Sequence, residues 1–427
     1  MRFSSLIRIG LLILFSISPF LAILTSYISS KGVPFAEYIG GVKDIVVLFL
    51  VFMTCVAIYK ANVIKRKSMT MFFLISFFLV YFSLHFIGYV DLLLILDGVR
   101  YQLIYVALGC TLVVYNSFTL KSFDILPLVC KIATIHLLLA LLIAIMEYFD
   151  PSVIEIIYGV SKENMNNVEL AVGTRLISIL SNPINLGAFV VFGQICFFYI
   201  AESKNNNFTW LVFWSVSAVS LFVILFTYSR LALIAFSIVY AMFVFRGVAK
   251  RRFIIPVLLI TSLSVFLASS ITSYDDFSGI IERLSNLGTS KEYTDNTRVN
   301  NWNSAYIKLI NGDPVSMLWG LGSGASNPSF NSGGVIVENS FISILVDFGF
   351  IGAGMYAIII AIFIFNAINL RHHKTEESFL IITFIIFFIV MSMGNDFNRN
   401  FPFVFYFWLF FYFSFSERNG VYKEKVC

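Results

Sequence analysis

The chain has 427 residues, of which 59% are hydrophobic and only 12% are charged, and it contains 48 phenylalanines. A composition this apolar excludes an ordinary water-soluble domain and indicates a polytopic membrane protein. The formal net charge of +5 does not indicate a nucleic-acid partner, because the basic residues cluster in short segments between apolar runs, where they set orientation in the membrane.

Apolar runs of about 20 residues, the length that crosses a bilayer as a helix, recur along the whole chain. Twelve such runs lie between polar segments, so the sequence predicts an all-α fold with about twelve transmembrane helices. The first run is too long for a signal-peptide core and is expected to remain as a helix. The predicted spans are approximately 6–28, 44–60, 69–90, 99–116, 125–148, 183–201, 209–227, 230–246, 253–272, 337–367, 378–395 and 401–416.

The distribution of lysine and arginine predicts the orientation of these helices. When the connections are assigned alternately to the two sides, dense basic blocks such as KANVIKRK (60–67) and RGVAKRR (246–252) fall on one side. The positive-inside rule makes that side the cytoplasm. An even number of helices then places both termini in the cytoplasm.

Two long outer segments break the pattern of short connections, namely residues 149–182 and the larger, polar residues 273–336. The chain is therefore expected to divide into residues 1–272 with nine helices, the large outer loop 273–336, and residues 337–427 with three helices and a cytoplasmic tail. Long connections of this kind usually carry function.

The larger outer loop contains a helical pattern. Within DNTRVNNWNSAYIKLI, the side chains of Trp302, Tyr306, Ile307 and Ile310 fall at helical spacing. We therefore expect one or two amphipathic helices in this loop, packed on the membrane face.

Arginines recur at the outer ends of the predicted helices and in the outer loops, where the positive-inside rule disfavours them. Snorkelling of the side chain to the membrane interface is one explanation for each of them. Guanidinium groups also bind phosphate oxygens bidentately and never lose their charge, so several arginines on one face indicate an anionic ligand, most naturally a phosphate or diphosphate. These residues are Arg100, Arg175, Arg230, Arg298 and Arg399.

The segment WGLGSGASNPSFNSGGVIVENSFISILVDFGFIG (319–352) combines glycines with carboxylates. Its glycines lack the preceding strand and the following lysine of a nucleotide-binding loop, which predicts a turn before a helix. Glu338 and Asn339 stand at the mouth of a very apolar helix, so Glu338 is a candidate general base. The alternative is a carboxylate favoured by the helix macrodipole. Asp347 is equally compatible with a structural hydrogen-bond acceptor.

Metal chemistry and hydrolase chemistry are not indicated by the sequence. The pair Asp275–Asp276 has no further carboxylates nearby, so no metal and no cofactor are predicted. The five cysteines lack metal-binding or CxxC spacing and are interpreted as small hydrophobic residues. No serine or cysteine has a credible histidine partner on the outer face, which argues against a hydrolase triad.

The motifs GTRLISILSNPINLGAF, YSRLALIAF, NTRVNNWNSAYIKLI, LWGLGSGAS and VENSFISILVDFGFIGAG follow one another in this order. They resemble the O-antigen polymerase (Wzy-type) and O-antigen ligase superfamily of bacterial membrane glycosyltransferases, over about residues 170–365. The resemblance implies a GT-C-like protein of the inner membrane. It also implies a metal-independent, inverting transfer of a glycan from undecaprenyl diphosphate on the periplasmic side.

The resemblance also implies roles for particular residues. By matched motif, Arg175, Arg230 and Arg298 would hold the diphosphate, and Arg100 is a further candidate from its outer position. Arg230 and Arg298 would act in catalysis together with Glu338. Recognition of the acceptor sugar would fall to the aromatic rings and amides of the late outer segment, namely Trp302, Asn303, Tyr306 and Asn339. The aromatic rings are equally compatible with anchoring a helix at the membrane interface.

Three functions remain open at this point. Ligases of the superfamily often carry a His-Asn pair where this chain has Glu338-Asn339. This difference favours a polymerase of lipid-linked repeat units, of O-antigen or capsular polysaccharide, with a chain-length regulator as an implied partner. The first alternative is a ligase that transfers the glycan to lipid A core. The second is a flippase, which would instead place charges deep inside its helices and have short loops on both sides.

Overall fold

In the computed structural model, the described residues form helices and one short β hairpin, and the chain separates into two compact units. The first unit holds Met1–Leu14, Lys43–Ile125 and Ser290–Cys427, and the second holds Phe15–Val42 and Leu126–Thr289. The structure describes residues 3–33, 36–61, 100, 103–119, 125–165, 169–170, 173–248, 297–312, 314–322, 324–326, 337–372 and 374–415.

The helices within these ranges are numbered in chain order. They are α1 (Phe3–Ile17), α2 (Leu21–Ser30), α3 (Ala36–Ala61), α4 (Ile104–Thr119), α5 (Leu126–Phe149), α6 (Ser152–Tyr158), α7 (Pro183–Lys204), α8 (Asn207–Phe226), α9 (Arg230–Val248), α10 (Thr297–Ile310), α11 (Pro314–Trp319), α12 (Ser340–Leu370), α13 (Thr375–Ser392) and α14 (Phe403–Phe413). Single 3-10 turns occupy Ser18–Phe20, Lys162–Asn164 and Ser178–Leu180. The hairpin pairs β1 (Glu169–Leu170) with β2 (Gly173–Thr174) in antiparallel register.

Seven segments among the described residues are helical, long and apolar enough to cross a membrane. The helical, polytopic class predicted from composition is therefore confirmed. The count of about twelve stays a prediction, because the predicted spans 69–90 and 253–272 lie outside the described residues. The same holds for the three-part division of the chain. The seven segments are Ser4–Ser30, Gly40–Lys60, Leu126–Phe149, Pro183–Lys204, Asn207–Phe226, Ser340–Leu370 and Thr375–Ser392.

Helix α7 forms the centre of the second unit, packed against α5, α8 and α9. Two glycines allow close approach of its neighbours. A Cβ atom at Gly187 would lie 2.6 Å from the Cβ of Ala232, and one at Gly193 would lie 2.7 Å from the Cβ of Leu137. Small residues at such contacts are typical of helix packing in membranes.

A polar cluster joins three of these helices in the interior. The Gln194 amide in α7 donates to the Ser220 hydroxyl at 2.6 Å and accepts from the hydroxyls of Ser217 at 3.2 Å and Tyr240 at 3.1 Å. Each polar group in this cluster has a partner, as buried polar groups in an apolar surrounding require. The cluster therefore fixes the register of α7, α8 and α9.

The first unit is built on α12, which packs against α10, α11 and α13, and on α14, which packs against α4. All eleven residues of α14 are buried. Helices α4 and α14 run in the same direction. Near their starts, the rings of Tyr105 and Phe401 lie 5.9 Å apart, and near their ends the Asn116 amide donates to the Phe415 carbonyl at 2.9 Å. The residues that precede these two helices therefore lie at the same end of the unit.

Candidate functional site

Two of the predicted diphosphate ligands, Arg175 and Arg230, reach the same turn in the second unit. The Arg175 Nε atom donates to the Thr227 carbonyl at 2.8 Å, and the N–H of Leu176 donates to the Phe226 carbonyl at 3.1 Å. Arg230 is the first residue of α9, three positions after Thr227. Because these carbonyls end α8, where the helix dipole favours a cation, Arg175 also stabilises the end of that helix.

A buried carboxylate holds the segment that carries Arg175. Glu147, near the end of α5, accepts the N–H groups of Ile177 at 3.1 Å and Ser178 at 2.8 Å, and it pairs with Lys162 at 2.8 Å. The Glu147 side chain is completely buried. The described parts of the predicted outer loop 149–182, which we call the strap, are therefore anchored beside Arg175. The sequence did not lead us to predict this role of Glu147. A carboxylate near the end of an apolar run is the pattern that could have indicated it.

We expect Glu147→Ala to destabilise the protein by about 3–5 kcal/mol, because it leaves a buried lysine and two backbone N–H groups without their acceptor. Thermal unfolding of the purified protein in detergent measures this change. The control is Glu155→Ala at an exposed residue of α6 in the same strap, which should leave the midpoint almost unchanged. Equal midpoints for both variants would contradict the anchoring role of Glu147.

The first unit brings together the predicted base and a third predicted diphosphate ligand. Arg298, near the start of α10, forms an ion pair with Glu338 through its Nε atom. The two side chains are 41% and 36% exposed. The Glu338 side chain is therefore more exposed to solvent, and closer to charge, than the apolar sequence that follows it predicted. A solvent-accessible pair of this kind can meet a ligand.

Asn339 caps helix α12. Its side-chain oxygen accepts the N–H groups of Phe341 at 3.0 Å and Ile342 at 3.1 Å, while its amide donates to the Met393 carbonyl at 2.8 Å. The residue is buried. The amide oxygen thus caps the start of α12, and the amide nitrogen joins that start to the end of α13. This structural role of Asn339 was not part of its predicted role in acceptor binding.

The predicted amphipathic helix is present as α10, but a different face packs against the protein. Ala305 is buried in a cluster with Val337 and Val346, and Trp302 packs against the edge of that cluster. Leu309, one turn further along the same face, is also buried. The other residues of the predicted apolar face are exposed, as is the predicted acceptor residue Asn303. The exposed members of that face are Tyr306, Ile307 and Ile310.

The glycine-rich turn is a structural element built on an interruption of α12. Gly349 breaks that helix with a φ of 64°, and the carbonyls of Val346 and Asp347 accept the N–H groups of Leu321 at 2.8 Å and Gly322 at 3.1 Å. The contact requires glycine on the opposite side as well, because a Cβ at Gly320 would lie 2.2 Å from the Asp347 carbonyl oxygen. These N–H groups are committed to the protein and do not form a phosphate cradle.

The Asp347 side chain also binds this glycine-rich turn. The fully buried carboxylate accepts the N–H groups of Gly324 at 3.2 Å and Ser326 at 2.9 Å and forms an ion pair with Arg399. The geometry therefore supports a structural role for Asp347. Arg399, one of the arginines predicted on the outer side, takes part in this structural contact through its ion pair with Asp347.

The loop between α13 and α14 also carries Asp396, whose Oδ2 atom accepts from the Ser343 hydroxyl at 2.8 Å and lies 3.5 Å from Arg399. Burial raises the pKa of the Asp396 carboxyl to about 6, against the opposing effect of hydrogen bonds from Ser343 and Ser340. The folded protein therefore binds a proton here more tightly than the unfolded chain does.

We expect this carboxyl to make stability depend on pH. Its contribution is present in full below about pH 4, the ordinary range of an aspartate, and is lost as the pH rises through about 6. The thermal midpoint should fall over that window in the wild type but less steeply in Asp396→Asn. The exposed Asp150 supplies the control, since Asp150→Asn should keep the wild-type slope. Parallel curves for the wild type and Asp396→Asn would refute the assignment.

Arg100, the remaining predicted diphosphate ligand, lies in the first unit. Its Nε atom donates to the Asp44 carboxylate at 2.6 Å. The structure thus brings Arg175 and Arg230 to one turn of the second unit, and it pairs Arg100 and Arg298 with separate carboxylates in the first unit.

No group of three or more His, Cys, Asp or Glu side chains that could hold a metal ion occurs within the described ranges. The pair Asp275–Asp276 lies outside those ranges. Of the cysteines that are described, Cys110, Cys130 and Cys196 are buried and Cys55 is exposed.

The fold and these clusters define a helical membrane protein with charged groups concentrated at the ends of its helices. Residues 215–357 match the family model described as O-Antigen ligase, whose members are glycosyltransferase-like enzymes. The match runs from within α8 to within α12 and contains Arg230, Arg298 and Glu338. It confirms the resemblance to the O-antigen polymerase and ligase superfamily. No curated protein matches the sequence.

Proposed function

We propose that the protein polymerises lipid-linked oligosaccharide repeat units of an O-antigen or capsular polysaccharide. In this reaction the growing glycan leaves undecaprenyl diphosphate and joins the non-reducing end of a new lipid-linked unit. The observation that carries the proposal is the contact of Arg298 with Glu338. This contact lies within the family match. It places a carboxylate that can accept a proton next to a cation that can bind phosphate.

The chemistry balances with Glu338 as the general base. A hydroxyl group of the acceptor sugar attacks the anomeric carbon of the donor glycan and inverts its configuration. The new carbon–oxygen bond forms as the bond between the anomeric carbon and the phosphate oxygen breaks. The carboxylate of Glu338 takes the hydroxyl proton, and undecaprenyl diphosphate leaves with the electron pair.

We assign the stabilisation of the leaving diphosphate to guanidinium groups, without a metal ion. Fixed positive charge next to the departing oxygen lowers the barrier most in a site with little water. Arg230 stands at the start of α9, so its charge adds to the positive end of the helix dipole. A guanidinium has five N–H donors, so Arg298 can orient Glu338 and bind a phosphate oxygen at the same time.

We place the reaction at the periplasmic face of the bacterial inner membrane, with both termini in the cytoplasm. The lipid-linked oligosaccharide and the surrounding membrane lipid are the partners that the family implies. The exposed residues Asn303 and Tyr306, together with Trp302, are proposed to contact the acceptor sugar, since aromatic rings stack on sugar faces. A chain-length regulator is a further proposed partner.

The ligase is the second candidate, and the family match supports both transferases equally. The polymerase is favoured by Glu338, which stands in front of Asn339 where the ligases that the chain resembles often have histidine. A flippase receives no such support from the match.

Reconstitution of the purified protein with a synthetic undecaprenyl-diphosphate-linked repeat unit and EDTA tests the proposal. A ladder of lengthening lipid-linked products on a gel is expected. A single transfer that requires added lipid A core would make the protein a ligase. No product with either acceptor would refute both transferase functions.

A further inference from the structure

The turn between α8 and α9 contains a residue in a strained conformation. Tyr228 has a φ of 51°, in the left-handed region that glycine adopts readily and that a bulky residue seldom adopts. It follows the last residues of α8, at the position where glycine commonly ends a helix, and its N–H donates to the Leu225 carbonyl at 3.0 Å. A tyrosine persists in this conformation only where the surrounding structure holds it.

The surrounding structure holds Tyr228 by its ring. The residue is buried, and its ring packs edge-on against that of Phe226, with 6.5 Å between the ring centres. The Phe226 ring in turn lies 4.9 Å from that of Tyr148 and 4.7 Å from that of Phe222. Tyr228 is therefore attached to an aromatic cluster that joins the ends of α5 and α8. A glycine at this position would allow the same turn but would lack the attachment.

The other side of the turn packs closely on α7. Gly187 permits this contact, because a Cβ there would lie 3.3 Å from the Thr227 Oγ1 atom. The Thr227 hydroxyl accepts the Ser229 N–H at 3.3 Å, and the Ser229 hydroxyl accepts the Ala232 N–H at 3.4 Å, in the first turn of α9. The direction in which α9 leaves the turn is thus fixed from both sides.

Strained residues are concentrated around Arg175. Among the described residues, four that are not glycine have a positive φ. Three of them lie in the segments that meet at Arg175, namely Ser178 (φ 46°) and Ser181 (φ 56°) in the strap and Tyr228 in the turn. The fourth, Asn205 (φ 50°), ends α7, where asparagine is a common residue. Backbone strain of this kind clusters where a protein fixes groups for a function.

We propose that Tyr228 is a positioning residue for Arg230, which follows it by two positions. The inference rests on the proposed function, in which Arg230 stabilises the leaving diphosphate. Tyr228 itself does not contact the substrate. Its ring anchors the turn, and its left-handed backbone directs the chain so that α9 begins with Arg230 close to the carbonyl that Arg175 binds. The guanidinium is then held in place before the diphosphate arrives, so transfer needs no reorganisation of this charge.

The experiment compares variants that separate the ring from the turn. Tyr228→Gly allows the turn but removes the ring. We expect it to lower kcat/KM for glycan transfer by about tenfold to a hundredfold, the effect of a small displacement of a catalytic group. Tyr228→Phe keeps the ring and should retain most of the activity. If Tyr228→Gly does not fold, Tyr228→Asn serves for the same comparison, since asparagine tolerates the left-handed conformation.

Phe222→Ala is the matched control, because it removes another ring of the same aromatic cluster without changing the turn. It should keep the wild-type kcat/KM per folded protein even if the thermal midpoint falls. An equal loss of activity in Phe222→Ala and Tyr228→Gly would reduce Tyr228 to a general packing role and overturn the proposal. Full activity in Tyr228→Gly would overturn it as well.

Coupling to Arg230 is the result that a merely structural role would not produce. If Tyr228 acts through Arg230, then Tyr228→Gly should have little further effect on a protein that already carries Arg230→Lys. Two losses that multiply in the double variant would show that Tyr228 acts independently of Arg230, against the proposal.

Binding of undecaprenyl diphosphate to the detergent-purified protein separates this inference from the proposed function. If the wild type transfers glycan to neither acceptor, the function fails while the affinity for this lipid can still be compared. Tyr228→Gly and Arg230→Lys should each raise Kd, the double variant should bind no more weakly than Arg230→Lys alone, and Phe222→Ala should bind like the wild type. Independent effects on Kd, or no binding by the wild type, would overturn the positioning role.

Discussion

Arg230→Lys is expected to lower transfer activity by about a hundredfold, the loss that follows removal of one well-placed donor to developing negative charge. The ammonium group keeps the positive charge but cannot make the bidentate contact of a guanidinium with phosphate oxygens. Arg230 is partly exposed at the start of α9, so the substitution should leave the fold intact. Initial rates of glycan transfer in proteoliposomes measure the effect.

The control for this variant is Arg246→Lys, near the other end of the same helix. Arg246 pairs with the buried Glu202 at 2.9 Å and has no proposed role in the reaction. It should keep wild-type rates per folded protein even if the thermal midpoint falls. Full activity in Arg230→Lys would remove this arginine from the diphosphate site.

Glu338→Gln is expected to reduce transfer by about a hundredfold or more, the usual contribution of a general base, while the protein still inserts and folds. Glutamine has nearly the same shape but cannot accept the hydroxyl proton. Because the side chain is 36% exposed, its substitution should have little effect on stability. Transfer rates and thermal midpoints measured on the same preparation separate the two effects.

Glu377→Gln provides the comparison, since Glu377 also pairs with a cation near a helix start, Lys374 at 2.9 Å. That variant should transfer glycan at the wild-type rate. A Glu338→Gln protein that remained active would exclude Glu338 as the base.

The partner of Glu338 can be assigned by a double-mutant cycle. If Arg298 acts only by orienting Glu338, then Arg298→Gln should have little further effect on a protein that already carries Glu338→Gln. If Arg298 also binds the diphosphate, the two losses should add on a free-energy scale. The cycle therefore separates positioning from direct contact with the leaving group.

Local patterns in the sequence determined the class of protein and several of its elements. Apolar runs of membrane-spanning length led directly to helices, because a lipid surrounding forces the backbone to satisfy its own hydrogen bonds. Helical spacing predicted α10 within a polar loop. Short ordered motifs, among them YSRLALIAF, indicated the superfamily that the match over residues 215–357 supports.

The partners of the charged groups required the tertiary structure. Five outer arginines looked equivalent in the sequence, yet Arg399 is paired with Asp347, 52 residues away, while Arg175 binds the end of α8. Periodicity likewise could not show that Ala305 and Leu309 form the packed face of α10. The exposed aromatic and branched residues beside them are equally apolar, and only the neighbouring elements determine which face is buried.

The sequence by itself thus determined a helical membrane protein that resembles glycan-transferring enzymes, and it supplied the arginines proposed to bind a diphosphate. The tertiary structure decided which groups Arg100, Arg175, Arg298 and Arg399 contact, and it revealed the structural role of Glu147. The physical reason is the separation along the chain over which each kind of interaction acts. Hydrophobic periodicity acts within one helix, whereas an ion pair such as Arg100–Asp44, 56 residues apart, depends on how separate helices pack.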